Sequence, residues 1–333
     1  MSCYLITGGA GFIGSNFVHY LMSKAEDNLK IINLDSLTYC GNRSNVSMYE
    51  ANSNYEFVHG NINDEELVQK IFKENEIDYV VHFAAQTHVD RSINSAKEFA
   101  ETNVLGTLNL LNAAKDTWFC KDYHKKRFLY VSTDEVYGEL PTEGYFTESS
   151  PLKPRNPYSA SKAAADMMAH AFYETHQLPV LITRCSNNYG PYQYEEKMIP
   201  LCLKSCLTGK EIPVYGDGLN IRDWLYVTDH CRAIDMVLQN GRIGEAYNVG
   251  GHNEHTNLEL LDIIFGVLKD EYNISVPSIK FVEDRKGHDR RYAIDPAKIN
   301  TEIGWHMETA FSEGIRKTIN WYMQHKNFLQ ISE

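Results

Sequence analysis

Three groups of residues in this chain have the types and spacing to act together chemically. The first is Asp134-Glu135, which follows the apolar run RFLYV and the hydroxyls Ser132 and Thr133. Two adjacent carboxyls in a partly desolvated cleft repel one another as anions. Their pKa values are pushed apart, so one can hold a proton while the other stays a base. Standing alone, an Asp-Glu pair is more often a solvated turn. Between a strand end and the second group, the catalytic reading outweighs that one. The second group is Tyr158 and Lys162, in NPYSASKAAAD. Their i, i+4 spacing places both on one helix face. An ammonium near a phenol favours the phenolate and lowers its pKa. Such a tyrosine can take the proton of an alcohol while hydride leaves the same carbon. The third group is the glycine run TGGAGFIG, with Gly8, Gly11 and Gly14 at three-residue intervals. Glycines let a backbone turn tightly against a pyrophosphate seated on a helix N-terminus. Asp35, about 20 residues on, stands where an acid accepts hydrogen bonds from the adenosine ribose. An acid there repels a 2′-phosphate, so the predicted cofactor is NAD rather than NADP.

These groups need a scaffold, and the hydrophobic pattern supplies one. CYLIT, KIINLD, YEFVHG, DYVVHFA, RFLYVS and LPVLITR are strand-like. Between them, GFIGSNFVHYLMSKA, NDEELVQKIFKENE, SAKEFAETNVLGTLNLLNAAK and SASKAAADMMAHAFYETH carry helical spacing. Regular β-α alternation predicts an α/β fold, a Rossmann-like doubly wound parallel sheet. After residue 185 the elements shorten and Pro and Gly intervene, predicting a smaller C-terminal mixed α/β substrate lobe. The expected division is an NAD-binding domain at 1–185 and a mainly substrate-binding lobe at 186–333, with segments such as 223–250 returning to the first. One difficulty stands out. Neighbouring side chains of a strand point to opposite faces. Asp134 and Glu135 can reach one substrate only if the strand is already breaking into a turn.

Composition narrows the functional classes. The 333 residues carry 32 Lys+Arg against 44 Asp+Glu, a formal net charge of -12. That opposes a nucleic-acid or anionic-membrane surface. No apolar run of membrane-spanning length occurs, and the N-terminus enters a strand without a secretory pattern. The cysteines Cys3, Cys40, Cys120, Cys185, Cys202, Cys206 and Cys231 are odd in number and lack a C-x-x-C pair. Free thiols in a reducing cytoplasm are expected. Cys202 and Cys206 read as packing residues, and His82 and His88 as core or supporting histidines. Neither pair supplies enough ligands for a metal, and none is predicted. The 21 tyrosines do not offset the acidic balance. The charged stretch DRKGHDRRYAID is expected to form a lid over the substrate.

TGGAGFIG, STDEVYG and YSASK together resemble the extended short-chain dehydrogenase/reductase family. The resemblance narrows to its nucleotide-sugar 4,6-dehydratases. HFAAQTHVDRS, CSNNYGPYQ, EKMIP, IRDWLYVTDH, YNVGGHNE and DRKGHDRRYAID follow in family order along nearly the whole chain. The tandem Asp-Glu is the most specific element, because related 4-epimerases and decarboxylases lack it. Those relatives, and a catalytically idle NAD-binding scaffold, are the rival readings. The resemblance implies tightly bound NAD, recycled in each turnover, a nucleotide-sugar substrate and a homodimer. The dimer would pair the helices near Ala96–Lys115 and Ser159–His176. It assigns Asp134 as acid and Glu135 as base, and places Thr133 and Tyr158 near the sugar C4. Toward the cofactor it implies Phe12, Ile13, Asp35, Ser36, Leu37, Thr38, Phe83, Ala84, Ala85, Thr102 and Asn188, besides the glycines, Tyr158 and Lys162. Asn61 and Ile62 stand where the family usually has Asp-Ile near the adenine. Toward the substrate it implies Thr87, Asn187, Lys197, Met198, Pro213, Val214, Tyr215, Asn257 and the stretch Asp284, Arg285, Lys286, Gly287, His288. Arg222 joins them, and a guanidinium suits a diphosphate in its own right.

Overall fold

The computed structural model describes residues 2–24, 29–119 and 125–331; Cys120 and Ala25, at the expected end of the first helix, lie outside them. The first half runs β1 (Ser2–Thr7), α1 (Phe12–Ser23), β2 (Leu29–Asp35), β3 (Tyr55–His59), α2 (Glu65–Glu74), β4 (Tyr79–His82), α3 (Val89–Asn94), α4 (Ala96–Phe99), α5 (Gly106–Trp118), β5 (Arg127–Thr133), α6 (Pro157–His176) and β6 (Val180–Cys185). Then follow β7 (Asn187–Tyr189), α7 (Met198–Thr208), β8 (Ile212–Tyr215), β9 (Ile221–Tyr226), α8 (Val227–Asn240), β10 (Ala246–Val249), β11 (Glu254–Thr256), α9 (Asn257–Tyr272), β12 (Ile279–Val282), α10 (Ala297–Ile303) and α11 (Phe311–Gln324).

The main sheet has seven strands in the order β10-β6-β5-β4-β1-β2-β3, all parallel. Its inner strands are apolar on both faces, as a sheet covered on both sides requires. One core packs α1 and α8 against residues such as Ile6, Val81 and Leu129; the other face carries Leu5, Val80 and Phe128 under α2, α5 and α6. Strand order reverses at β1, which pairs with both β2 and β4. In open α/β sheets a ligand crevice forms at such a switch point, outside the carboxyl ends of the strands. Thr7 and His82 end the two strands in register.

The smaller lobe holds a three-stranded sheet β11-β9-β7 and a two-stranded pair β12-β8, over a third core that includes Tyr189, Leu260 and Ile315. The chain does not divide once. α8 packs in the first core, and β10 is the edge strand beside β6. Cys202 and Cys206 are buried in the third core, and the six described cysteines are free thiols.

The helix expected across SAKEFAETNVLGTLNLLNAAK is not uniform. Between α4 and α5, residues Ala100–Leu105 wind as a π-helix. The wider turn sets Asn103 inward, where its amide donates to Gln86 O (3.0 Å) and Ser161 Oγ (2.8 Å) and accepts from Gln86 N (2.7 Å). Sequence spacing cannot register one inserted residue in a helix, whereas the buried amide demands it. α6 begins where sequence suggests. Asn156 Oδ1 accepts from Ser159 N at 2.8 Å and Pro157 takes the first turn, which sets Tyr158 and Lys162 on the sheet-facing side.

Candidate active site

Two connected chambers open at the carboxyl ends of the main strands, with volumes of about 360 and 300 Å³. Thr87, Glu135, Asn187, Glu196 and Lys197 line both, so they mark the junction.

The first chamber is built around the glycine turn. Gly8 has φ +73°, and a Cβ there would sit 2.6 Å from Ala84 N. A Cβ on Gly14 would overlap the Gly8 carbonyl. Gly11 caps α1 without any side-chain acceptor, so the first-turn N–H groups stay available to an anion. Asp35 is buried and fixes this loop, accepting from Ala10 N (2.9 Å) and Leu37 N (2.8 Å). Burial raises its pKa. Phe12, Ile13, Ser36 and Thr38 line the chamber, as do Asn61 and Ile62. Phe83, Ala84, Ala85, Thr102 and Asn188 do so as well. Leu37 does not. Its φ of 49° turns the backbone so that only its N–H serves the site, through Asp35. Asn61 Oδ1 accepts from Asn63 N at 2.9 Å, closing its own turn. A glycine cradle that tolerates no side chain, an uncapped helix end and a buried acid at the second strand together fit a dinucleotide.

Thr133, Asp134, Glu135, Tyr158 and Lys162 all line this chamber. The strand difficulty is resolved by the backbone. β5 ends at Thr133, and Asp134–Tyr137 form a short 3₁₀ turn closed by Gly138 at φ +85°. Thr133 Oγ1 accepts from Glu135 N and donates to Asp134 Oδ1, both at 3.3 Å. Burial, then the charges of Glu135 and Asp223, hold the Asp134 carboxyl well above the usual carboxylate range. Glu135 is also raised by burial, but Arg222 and Lys197 oppose the shift. Both carboxyls therefore hold a proton more readily than free ones, Asp134 well above the ordinary range, and Arg222 opposes the shift at each.

The Tyr158–Lys162 pair departs from expectation. Among the described residues no hydrogen bond joins them. Lys162 Nζ donates to Val131 O at 2.7 Å and lies 4.3 Å from the centre of the Tyr130 ring. Burial lowers its pKa to about 8. The Tyr158 hydroxyl is raised, by burial and then by the Glu135 charge, and not lowered. Helical spacing placed both groups on one face, but burial dominates over the ammonium's influence.

The second chamber lies between α3, α7, β8 and β9. Met198, Pro213, Val214, Tyr215 and Asn257 line it, as does Arg222. The buried Arg222 guanidinium donates to Ile221 O (2.7 Å) and Asp289 O (2.9 Å) and stacks over Tyr292 at 4.4 Å. Among the described residues it has no carboxylate at ion-pair distance, so the alternative of a surface ion pair is removed. Arg285, Gly287 and His288 line the chamber. Asp284 and Lys286 do not; Asp284 instead binds His288 Nδ1 at 2.6 Å and Arg285 N at 2.9 Å, closing the loop on itself. In an irregular loop neighbouring side chains diverge, and resemblance by contiguous stretch cannot separate them. His82 is a core residue between Thr7 Oγ1 (2.7 Å) and Thr107 Oγ1 (2.9 Å), and burial lowers its pKa to about 3. His88 caps α3 and lies 3.5 Å from Glu196.

Sequence reasoning overlooked Asn156, Gln193, Glu196, Asp289, Tyr292 and Cys185, all of which line the chambers. Asn156 carried a signal as an Asn-Pro helix start, and Glu196 adjoins the expected Lys197. The others converge only through folding. No group of three or more potential metal ligands occurs among the described residues, and no described helix is long and apolar enough to cross a membrane.

The GDP-mannose 4,6 dehydratase family profile matches residues 5–318. The chain is 48% identical over 338 residues to a dTDP-glucose 4,6-dehydratase of Xanthomonas campestris pv. campestris, covering 99% of this chain and 95% of that one. A crystal structure of dTDP-glucose 4,6-dehydratase from Bacillus anthracis in complex with NAD superposes with a TM-score of 0.88 at 48% identity, covering 98% of each chain. UDP-glucose 4-epimerase from Thermotoga maritima superposes nearly as well, at 0.86, with 28% identity over 97% of this chain and 99% of that one. The scaffold is thus common to two reactions, so the fold alone does not separate them and the side chains of the site must.

Proposed function

The chain belongs to the GDP-mannose 4,6 dehydratase family, and from that premise we infer that it dehydrates a nucleoside-diphosphate glucose, dTDP-glucose first, to the 4-keto-6-deoxy sugar. It is an NAD-dependent hydro-lyase. What NAD supplies when bound in the first chamber is reversible hydride chemistry: uptake from C4 of the hexose and return at C6. Everything else falls to the chain. Tyr158 takes the C4 hydroxyl proton, with Thr133 hydrogen-bonded to the same oxygen. Lys162, one helical turn along, lines the same chamber, and its charge has to offset the burial that raises the phenol before Tyr158 can accept that proton. The new ketone acidifies C5–H, and Glu135 removes that proton. The C6 oxygen leaves as water with the proton of Asp134. Glu135 then returns its proton to C5 as hydride reaches C6, so no oxidant is consumed; the proton gained by Tyr158 balances the one given up by Asp134, and exchange with solvent resets both groups before the next turnover.

The observation that carries this reading is geometric: the short turn after β5 brings both Asp134 and Glu135 into the chamber that Tyr158 lines, where burial raises both carboxyls and Arg222 and Lys197 oppose the shift at Glu135. A 4-epimerase has no use for that pair. Arg222, with Asn187, Lys197 and the Arg285–His288 loop, would hold the diphosphate in the second chamber. Residues 1–185 serve mainly the dinucleotide and 186–333 mainly the nucleotide sugar, with the 223–250 stretch returning to the first. A homodimer through the paired α5 and α6 region accounts for the exposed Leu105 and Met167. Light scattering tests it, a monomeric mass being the refuting result. The reaction is tested by mixing purified protein with dTDP-glucose and UDP-glucose, with and without added NAD. The expected NMR product has a C6 methyl group. A C4 epimer with its C6 hydroxyl intact, or no turnover after NAD is added, would overturn the reading.

A further inference from the structure

The turn bearing Asp134 and Glu135 has only four residues. Its near end is held by the β5 ladder and its far end by Tyr137, which faces away from both chambers. The Tyr137 hydroxyl donates to Asn248 Oδ1 at 2.7 Å and accepts from Arg184 Nη1 at 2.8 Å. Arg184 in turn grips Asp166 with two bonds, Nε to Oδ2 (2.9 Å) and Nη2 to Oδ1 (2.8 Å). Asn248 is fixed by its own contacts, Nδ2 to Phe146 O (3.1 Å) and N to Glu148 Oε1 (2.7 Å). All four side chains are buried, and none lines either chamber.

The connections are informative. Asp166 is four residues beyond Lys162 and eight beyond Tyr158, so the three share one face of α6. Arg184 on β6 is paired in register with Ser132 on β5. Asn248 belongs to β10, which returns to the main sheet from the second half of the chain. The network therefore ties the acid–base turn to the helix that carries the oxidation residues. A two-point Arg–carboxylate bond is rigid in plane and distance. Buried ion pairs contribute little net stability relative to apolar packing, so stability alone is a poor reason for this one.

We propose that Tyr137, Arg184, Asp166 and Asn248 are positioning residues that set the 134–137 turn against α6, so that acid and base meet the C5–C6 bond in register with C4. This rests on the assignment of Asp134 and Glu135 to water elimination. The two half-reactions should separate. Tyr158 and Lys162 have their own anchor in the Asn156 cap, so C4 oxidation does not depend on the Tyr137 hydroxyl. Elimination needs two carboxyls placed at once, and small misplacements are costly.

The test is Tyr137→Phe, which keeps the ring stacked on Phe146 at 5.0 Å and removes only the hydroxyl. With dTDP-glucose in single-turnover and steady-state experiments, the expected result is unchanged oxidation and elimination slowed roughly 10- to 100-fold. Reduced nicotinamide should accumulate during turnover while KM stays near the wild-type value. Arg184→Lys keeps the charge but loses the two-point bond, and is expected to show the same separation. Wild-type elimination in Tyr137→Phe overturns the proposal. So does parallel slowing of both half-reactions, in Tyr137→Phe or, if that variant does not fold, in Arg184→Lys. Failure of the wild-type protein to form a C6 methyl product would instead sink the dehydratase reading itself.

Discussion

Replacing Asp134 by Asn tests the assigned chemistry most directly. Asn matches Asp in shape and can still accept from Thr133, but it has no proton to give the departing C6 oxygen. The wild-type carboxyl is buried, and burial, then the charges of Glu135 and Asp223, hold its pKa well above the usual carboxylate range. General acid catalysis contributes typically about 10²–10⁴-fold, which at 1.36 kcal/mol per tenfold is about 2.7–5.4 kcal/mol of barrier. The C4 step, assigned to Tyr158, should proceed at its normal rate. Rapid mixing with dTDP-glucose should therefore show reduced nicotinamide forming promptly and then persisting, while the C6 methyl product appears slowly. Stability should move the other way. The folded-state pKa of Asp134 lies above its unfolded value, so its contribution is fully present below the unfolded value and is lost as pH rises toward the folded one. Asn has no such loss. The melting temperature of Asp134→Asn relative to wild type should rise between acidic and neutral pH. Product formation at the wild-type rate would remove Asp134 from the acid role. A variant unable to reduce the nicotinamide would show that the residue acts earlier, in oxidation.

Three further outcomes are expected. Tyr158→Phe should lose C4 oxidation by about 10²–10⁴-fold, so that stopped-flow absorbance shows no reduced nicotinamide where Asp134→Asn shows a lasting signal. Gly14→Ala would drive a Cβ into the Gly8 carbonyl, and the purified protein should release little NAD on denaturation while wild type releases a nearly stoichiometric amount. Arg222→Met removes the cation that favours ionised Glu135, so the acidic limb of the pH–rate profile should shift to higher pH and KM for the nucleotide sugar should rise; an unmoved limb would separate Arg222 from the base.

Much of this site was legible from residue order because its parts are local. A glycine turn between strand and helix, an acid ending the second strand, and Tyr158 and Lys162 one helical turn apart are each specified within a few residues. The stretch from Asp284 to His288 shows the limit. Its five residues were expected to act together, but Asp284 closes the loop on His288 and Lys286 lies off the chamber. The environment of Lys162 shows another. Spacing put it near Tyr158, yet its bond goes to a strand carbonyl, because burial of an ammonium demands the nearest acceptor.

The sequence by itself determined the doubly wound class, through its alternating apolar runs, and the reaction class, through a family resemblance whose most specific element is the carboxyl pair at a strand end. Only the tertiary structure decided how that pair is presented. Periodicity says that adjacent residues of a strand face apart, and the 3₁₀ turn that brings both to one chamber is held by Tyr137, whose partners lie 47 and 111 residues away. The raised pKa of both carboxyls likewise comes from burial, with Asp223 adding to it at Asp134 and Arg222 and Lys197 opposing it at Glu135. Both effects depend on what surrounds a group in space, and order along the chain does not contain that.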